Sequence, residues 1–193
     1  MGDLKDYLNT NDLTEQSSIY GVTWAAQSFT ASSSYNAGSI KALIFRTGSP
    51  GTITASIRAT DGSGFPTGSD INSVTGTTNG NTLPTDSPYE WREITLSLPV
   101  SVTSGTKYAI VLRAADGSVS NYFSWRLNIS DEYAGGTWSL SLNSGSTWGN
   151  FGDDTSDFLF EVYTGFVFQP PVDIVTYRRI VAACADKIYY EDI

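Results

Sequence analysis

Eight carboxylates stand where they could do chemistry: Glu90, Glu93, Asp131, Glu132, Asp153, Asp154, Asp157 and Glu161. Two acids facing each other across a sugar can cleave a glycosidic bond, one giving a proton and one acting as base or nucleophile. None of the eight sits in a sharp motif. Glu93 falls on the polar side of a period-two run. The pairs Asp131-Glu132 and Asp153-Asp154 fall between strand-like segments, so solvated charge is the plain expectation. Asp153, Asp154 and Asp157 together would offer three oxygens to a structural Ca²⁺, a hard cation that takes carboxylate and backbone oxygens. No other cofactor is expected. A second chemistry is stacking. Tyr122, Phe123, Trp125, Tyr133, Trp138 and Trp148 crowd between positions 122 and 148, and flat rings can lie on the apolar faces of sugars. The competing use of Trp125, Trp138 and Trp148 is to fill a core. The candidate glycan contacts are Tyr122, Trp125, Tyr133 and Trp138. The two tyrosines are expected in loops, where their hydroxyls reach water or a partner.

Other chemistries are closed. The chain has no histidine, which removes Ser-His-Asp and Cys-His nucleophiles and His-based zinc sites. Cys184 is the only cysteine, so no intrachain disulfide can form. The net charge of −9 and the scatter of the basic residues, with only Arg178 and Arg179 adjacent, argue against nucleic acid and against anionic membrane surfaces as partners. No run of about 18 apolar residues is long enough to cross a membrane as a helix.

These side chains need elements to hold them. A chain of 193 residues with 40% hydrophobic and 13% aromatic side chains can build a packed core. Only 16% of residues are charged, so Ser, Thr, Asn and Gly must supply the surface. Period two dominates from about residue 18. Ile53, Ala55, Ile57 and Ala59 share one expected inner face against Thr52, Thr54, Ser56 and Arg58. Ile94, Leu96, Leu98 and Val100 do the same against Glu93, Thr95 and Ser97. Residues 40–46 and 108–113 are apolar on both faces and read as central strands. Phe158, Phe160 and Val162 mark a late strand. Turn signals rich in Gly, Asn, Asp and Pro recur at short intervals between these runs. The reading is an all-β chain: an antiparallel β-sandwich of the jelly-roll kind over 18–165, preceded by a helical or extended segment over 1–17. Residues 166–193 follow as a Pro-containing linker and a β-hairpin arm. Tyr177, Arg179, Val181, Ile188 and Tyr190 are that arm's expected assembly contacts.

The octapeptide SLNSGSTW, residues 141–148, fits S-x-[D/N]-x-G-x-T-W and resembles the Asp-box of sialidases and other propeller proteins. There the motif is a hairpin turn: the Asp or Asn side chain binds turn amides, and Gly takes positive φ. One copy cannot make a six-bladed propeller, so a turn is the expectation. A broader resemblance runs from about residue 27 to 163. Ala26-Gln27-Ser28-Phe29-Thr30, Gly48-Ser49-Pro50-Gly51-Thr52, the ten residues 59–68, the nine residues 104–112 and Tyr133-Ala134-Gly135-Gly136 carry it, ending at Ser144-Gly145-Ser146-Thr147-Trp148. Together they resemble the choice-of-anchor type domains, jelly-roll modules akin to carbohydrate-binding modules, found in phage structural proteins and bacterial surface proteins.

That resemblance implies a non-enzymatic structural protein of a phage virion, a capsid or tail module for decoration or assembly. Its partners would be copies of itself, other virion proteins and a host-surface glycan. The N-terminus lacks the apolar core of a signal peptide beside an extracellular style of composition, and virions assemble in the cytosol. The alternative is a carbohydrate-binding module of a larger secreted protein, extracellular or at the cell surface. A hydrolase comes third.

Overall fold

The computed structural model describes residues 2–10, 15–129, 133–151 and 156–165. Along these the chain forms β1 (Leu4–Leu8), β2 (Glu15–Ile19), β3 (Trp24–Thr30), β4 (Tyr35–Thr47), β5 (Thr52–Thr60), β6 (Pro66–Thr67), β7 (Thr75–Asn79), β8 (Glu90–Val102), β9 (Lys107–Arg113), β10 (Tyr122–Asn128), β11 (Trp138–Ser141), β12 (Asp157–Phe158) and β13 (Phe160–Thr164). Two single 3-10 turns, Ile71–Ser73 and Gly80–Thr82, sit in connections. The N-terminal segment, expected helical or extended, is extended: β1 pairs with β13, and β2 pairs with β10. The linker and hairpin expected over 166–193, with Tyr177, Arg179, Val181, Ile188 and Tyr190, lie outside the described residues.

Every pairing is antiparallel. One layer runs β1-β13-β4-β8, with β10 also on β4, and β2 and β12 on β10. The other runs β7-β5-β9-β3-β11, with β6 on β5. The layers join at one corner, where Gly76 of β7 faces Leu96 of β8. A Cβ at Gly76 would stand 2.3 Å from the Thr95 carbonyl oxygen, so only glycine lets the two backbones meet there. The inner faces touch through rings. Phe29 of β3 lies 6.1 Å from Phe160 of β13, and Trp138 of β11 lies 6.1 Å from Phe158 of β12. The result is a curled antiparallel β-sandwich, as the period-two segments predict, with β4 and β9 as the central strands of their layers.

Period two succeeds where a strand spans the core and fails at its ends. Ile53, Ala55 and Ile57 are fully buried. Ala59, expected inward, is exposed, because β5 has by then run past the core to pair with the short β6. Ser56 and Arg58, expected outward, are buried under a loop described below. Leu98, also expected inward, is 64% exposed. Its strand carries a bulge: Ala37 faces Val100 while Ser39 faces Thr95, so residues 96–99 oppose Gly38 alone. Leu98 lies in this looped-out stretch and leaves the inner face, which Ile94 and Leu96 before the bulge and Val100 and Val102 after it keep. Phe158, Phe160 and Val162 face the core as expected.

The core closes around a seam on β4. One edge of β4 is shared end to end by two strands, β13 along 37–42 and β10 along 44–47. At the join, Leu43 N–H donates to the Leu159 carbonyl, and Leu159 N–H donates to the Arg126 carbonyl. Trp125 is fully buried there. Its indole N–H donates to the same Leu159 carbonyl at 2.8 Å, and its ring stacks on Phe158 at 4.3 Å. Trp125→Ala is therefore expected to cost about 3–5 kcal/mol of stability, the range for a large buried aromatic. Trp125→Phe should cost only about 1 kcal/mol, because Leu159 keeps its bond from Leu43. Chemical denaturation of the three proteins checks both values and their order.

Candidate functional site

The four aromatic residues expected to contact a glycan do not form one platform. Trp125 and Trp138 are core residues, at 0% and 7% exposure. Tyr122 is half-buried at the start of β10, with its ring 6.2 Å from Tyr20. Tyr133 is half-buried beside the other end of β3, edge-on to Phe160 at 5.2 Å. Burial, and next the charge of Asp6, push its phenol far above the usual tyrosine range. Asn128 is buried in β10. Of the proposed calcium ligands, Asp153 and Asp154 lie outside the described residues. Asp157 is 2% exposed and accepts a 2.6 Å hydrogen bond from Gln27 Nε2, while Gln27 Oε1 accepts from Phe158 N–H. Asp157 thus ties β12 to β3. Among the described residues no three metal-binding side chains converge.

The SLNSGSTW segment is a hairpin turn. Leu140 and Gly149 exchange backbone bonds across its base. Asn143 Oδ1 accepts from Thr147 N–H at 2.9 Å, and Ser141 Oγ accepts from Gly145 N–H at 2.8 Å. Gly145 has φ of 80°. The turn also covers something. A Cβ on Gly145 would meet Trp24 Cε3 and Cζ3 at 2.7 Å and Arg58 Nη1 at 3.2 Å. The Arg58 and Arg113 guanidinium groups lie over the Trp24 ring, 5.5 and 4.9 Å from its centroid. Asp70, brought in by the 3-10 turn, accepts at 2.8 Å from Arg58 Nε, Ser56 Oγ and Arg113 Nη2. This is why the polar side of β5 is buried: two arginines and one aspartate are sealed between the sheet, the 68–73 loop and the octapeptide. Burial raises the Asp70 carboxyl, but the bonds from Arg58 and Ser56 and the charge of Arg113 together pull it below the ordinary value. The cluster satisfies itself and acts as a clamp.

A second group lies on the outer face of the other layer, built by register alone. Tyr7 of β1 faces Glu161 of β13, Glu161 faces Lys41 of β4, and Lys41 faces Glu93 of β8. Beside this row Tyr163 faces Ser39, and Ser39 faces Thr95. The contacts are dense. Tyr163 Oη donates to Glu161 Oε2 at 2.6 Å, Lys41 Nζ stands 4.7 Å over the Tyr163 ring, and Ser39 Oγ donates to Glu93 Oε1 at 2.7 Å. Asn9 Nδ2 donates to Glu161 Oε1 at 2.9 Å. Burial, then the bond to Glu161, raise the Tyr163 phenol. A shallow depression of about 190 Å³, lined by Gly2, Gly38, Ser39, Glu93, Thr95, Thr164 and Gly165, continues the row. Such a face offers hydroxyl, carboxylate and ammonium groups to a polar ligand. Of the eight acids read from the sequence, Asp131, Glu132, Asp153 and Asp154 lie outside the described residues; among the other four, Glu93 and Glu161 share this row, on either side of Lys41. Glu90 instead forks onto Arg92 at 2.6 and 3.1 Å. Reading the sequence found neither Trp24 nor Tyr7 nor Lys41. Arg58 on an outward strand position was the one visible hint of the clamp.

No protein-family model matches the chain, and no curated protein matches it.

The clamp makes two predictions. Gly145→Ala forces positive φ on a Cβ that collides with Trp24, and should cost about 2 kcal/mol, read as a lowered melting temperature. Asp70→Asn should weaken the fold at neutral pH. Because the folded carboxyl sits below its unfolded value of about 3.9, its contribution is whole above that pH and is lost as pH falls toward the folded value. The stability gap between wild type and Asp70→Asn should therefore close below about pH 4. A gap unchanged between pH 7 and pH 3 would show that the charge does not matter.

Proposed function

We propose that the chain is a non-enzymatic structural protein of a phage virion, a jelly-roll-type module of capsid or tail that works by assembling with its neighbours. The observation that carries this reading is the outermost strand of the first layer. Among the described residues β1 pairs with β13 alone, and Leu4 and Tyr7 stand 38% and 50% exposed along it. An unpaired strand edge with apolar side chains is the kind of surface that proteins either guard or use for association. The resemblance to choice-of-anchor type modules and the acidic, low-charge composition support the same reading.

A second reading, a carbohydrate-binding module of a secreted protein, draws on the row Tyr7, Glu161, Lys41 and Glu93. There an exposed ring stands beside hydrogen-bonding groups suited to sugar hydroxyls. The two readings separate in solution. The virion module is expected to give a defined oligomer by light scattering and no glycan signal above background. A monomer that binds a glycan, and loses it in Tyr7→Ala and Lys41→Ala, would replace the first reading with the second.

A further inference from the structure

We propose that Asp61-Gly62 is a site of self-modification: the folded chain converts it to isoaspartate, and the change loosens the arginine clamp beneath the octapeptide turn. The chemistry is independent of assembly.

Glycine follows Asp or Asn three times, at Asp61-Gly62, Asn79-Gly80 and Asp116-Gly117. At such a step the glycine nitrogen can attack the side-chain carbonyl carbon, because no Cβ hinders its approach. The new N–C bond closes a succinimide ring and expels water from Asp or ammonia from Asn. Water then opens the ring at either carbonyl. One route gives Asp. The other leaves the chain running through the former side chain, as isoaspartate. In free peptides the Asn step is the faster, so sequence alone points to Asn79.

The fold reverses that order. Gly80 is buried, and its N–H donates to the Gly51 carbonyl at 2.8 Å. A Cβ there would stand 3.0 Å from both Ile53 Cδ1 and Pro50 Cγ, so this peptide has no room to turn. Gly117 N–H donates to the Ala114 carbonyl at 3.0 Å, and its Cβ position lies 2.9 Å from the Asn121 carbonyl oxygen. Gly62 differs from both. It is exposed, nothing lies within 4 Å of its Cβ position, and among the described residues its N–H has no hydrogen-bond partner. The Asp61 carboxylate is turned toward the chain that follows it: Oδ1 accepts from Ser63 N–H and from Phe65 N–H, each at 2.9 Å.

This turn anchors more than itself. Asp61 N–H donates to the Phe65 carbonyl at 2.9 Å, and Gly64 N–H donates to the Asp61 carbonyl at 3.1 Å. The turn leads into β6, which pairs with Ala59 and Thr60. Next comes Gly68, whose carbonyl accepts from Arg58 Nη1 at 3.3 Å. Asp70 follows, holding Arg58 and Arg113. Isoaspartate lengthens the backbone by one carbon and carries the carboxylate away from the Ser63 and Phe65 amides. The loop that delivers Asp70 then loses its fixed start.

The test keeps the full chain folded at neutral pH and body temperature for weeks, beside a sample held unfolded in urea. Isoaspartate is read by methyl transfer from a protein isoaspartate methyltransferase and placed by peptide mapping. In the folded sample, position 61 is expected to convert about fivefold faster than 116, the factor for first breaking one backbone hydrogen bond. It should also lead 79, whereas in urea 79 should lead. Folded chains that convert first at 79 or 116, or not at all, would overturn the assignment. Gly62→Val suits an open position whose φ lies outside the left-handed region, and its branched side chain hinders the attack. It should remove most of the methyl incorporation from the folded sample, and unchanged incorporation would sink the site. The converted wild-type fraction, separated by chromatography, should melt at a lower temperature than the unconverted one. Equal melting temperatures would overturn the link to the clamp.

Discussion

The fold depends on one buried hydrogen-bonded seam. Strand β4 is 13 residues long, and no single neighbour covers its outer edge. Strands β10 and β13 meet there end to end, leaving the Leu159 carbonyl in the core where β12 turns into β13. Water cannot satisfy it, and an unsatisfied buried carbonyl is costly. Trp125 and Leu43 both donate to it. The tryptophan also brings enough ring surface to fill the gap and meet Phe158. Both layers close over this point: Trp138 reaches Phe158 from the second layer, and Phe29 reaches Phe160. Removing the indole from the surface to do this work is what denies the molecule the aromatic platform that the clustered tryptophans suggest.

The outer faces follow from the same economy of charge. With few ionisable residues, the charges that sit on the sheets are grouped so that opposite signs meet. Arg58, Arg113 and Asp70 close one group beneath the octapeptide turn, and Lys41, Glu161 and Glu93 form another along a cross-strand row. The two groups behave differently because of what covers them. The first lies under a turn whose glycine permits contact with Trp24, so it is a fixed clamp. The second lies on the outer face of the other layer next to the β1 edge, where Tyr7 is its exposed member. Position in the sheet decides what lies beside each cluster: a covering turn for the first, the β1 edge for the second.

Much of the architecture was legible because backbone periodicity is local. Alternation of apolar and polar residues fixed β5, the first half of β8 and the late strand through Phe158, Phe160 and Val162. Doubly apolar runs marked β4 and β9 as central. The Ser-Leu-Asn-Ser-Gly-Ser-Thr-Trp turn was legible for the same reason, since its side-chain bonds run between residues no more than four apart. The misassigned faces have non-local causes. Leu98 turned outward because it lies in the stretch that bulges opposite Gly38, and Ser56 and Arg58 were buried because a loop from residue 70 came back over them.

By itself the sequence determined the antiparallel sandwich class, the turn at 141–148 and the exclusion of histidine chemistry, each of which is written in composition or short-range pattern. Tertiary structure alone decided which side chains became neighbours. Tyr7, Glu161, Lys41 and Glu93 come from four strands spread across the chain, and Trp24 and Arg58 come from two others, meeting Asp70 of a loop and Gly145 of a turn. Their meeting is set by strand order and register, which depend on how the two layers share a core. That is a property of the whole chain, and no short window of residues encodes it.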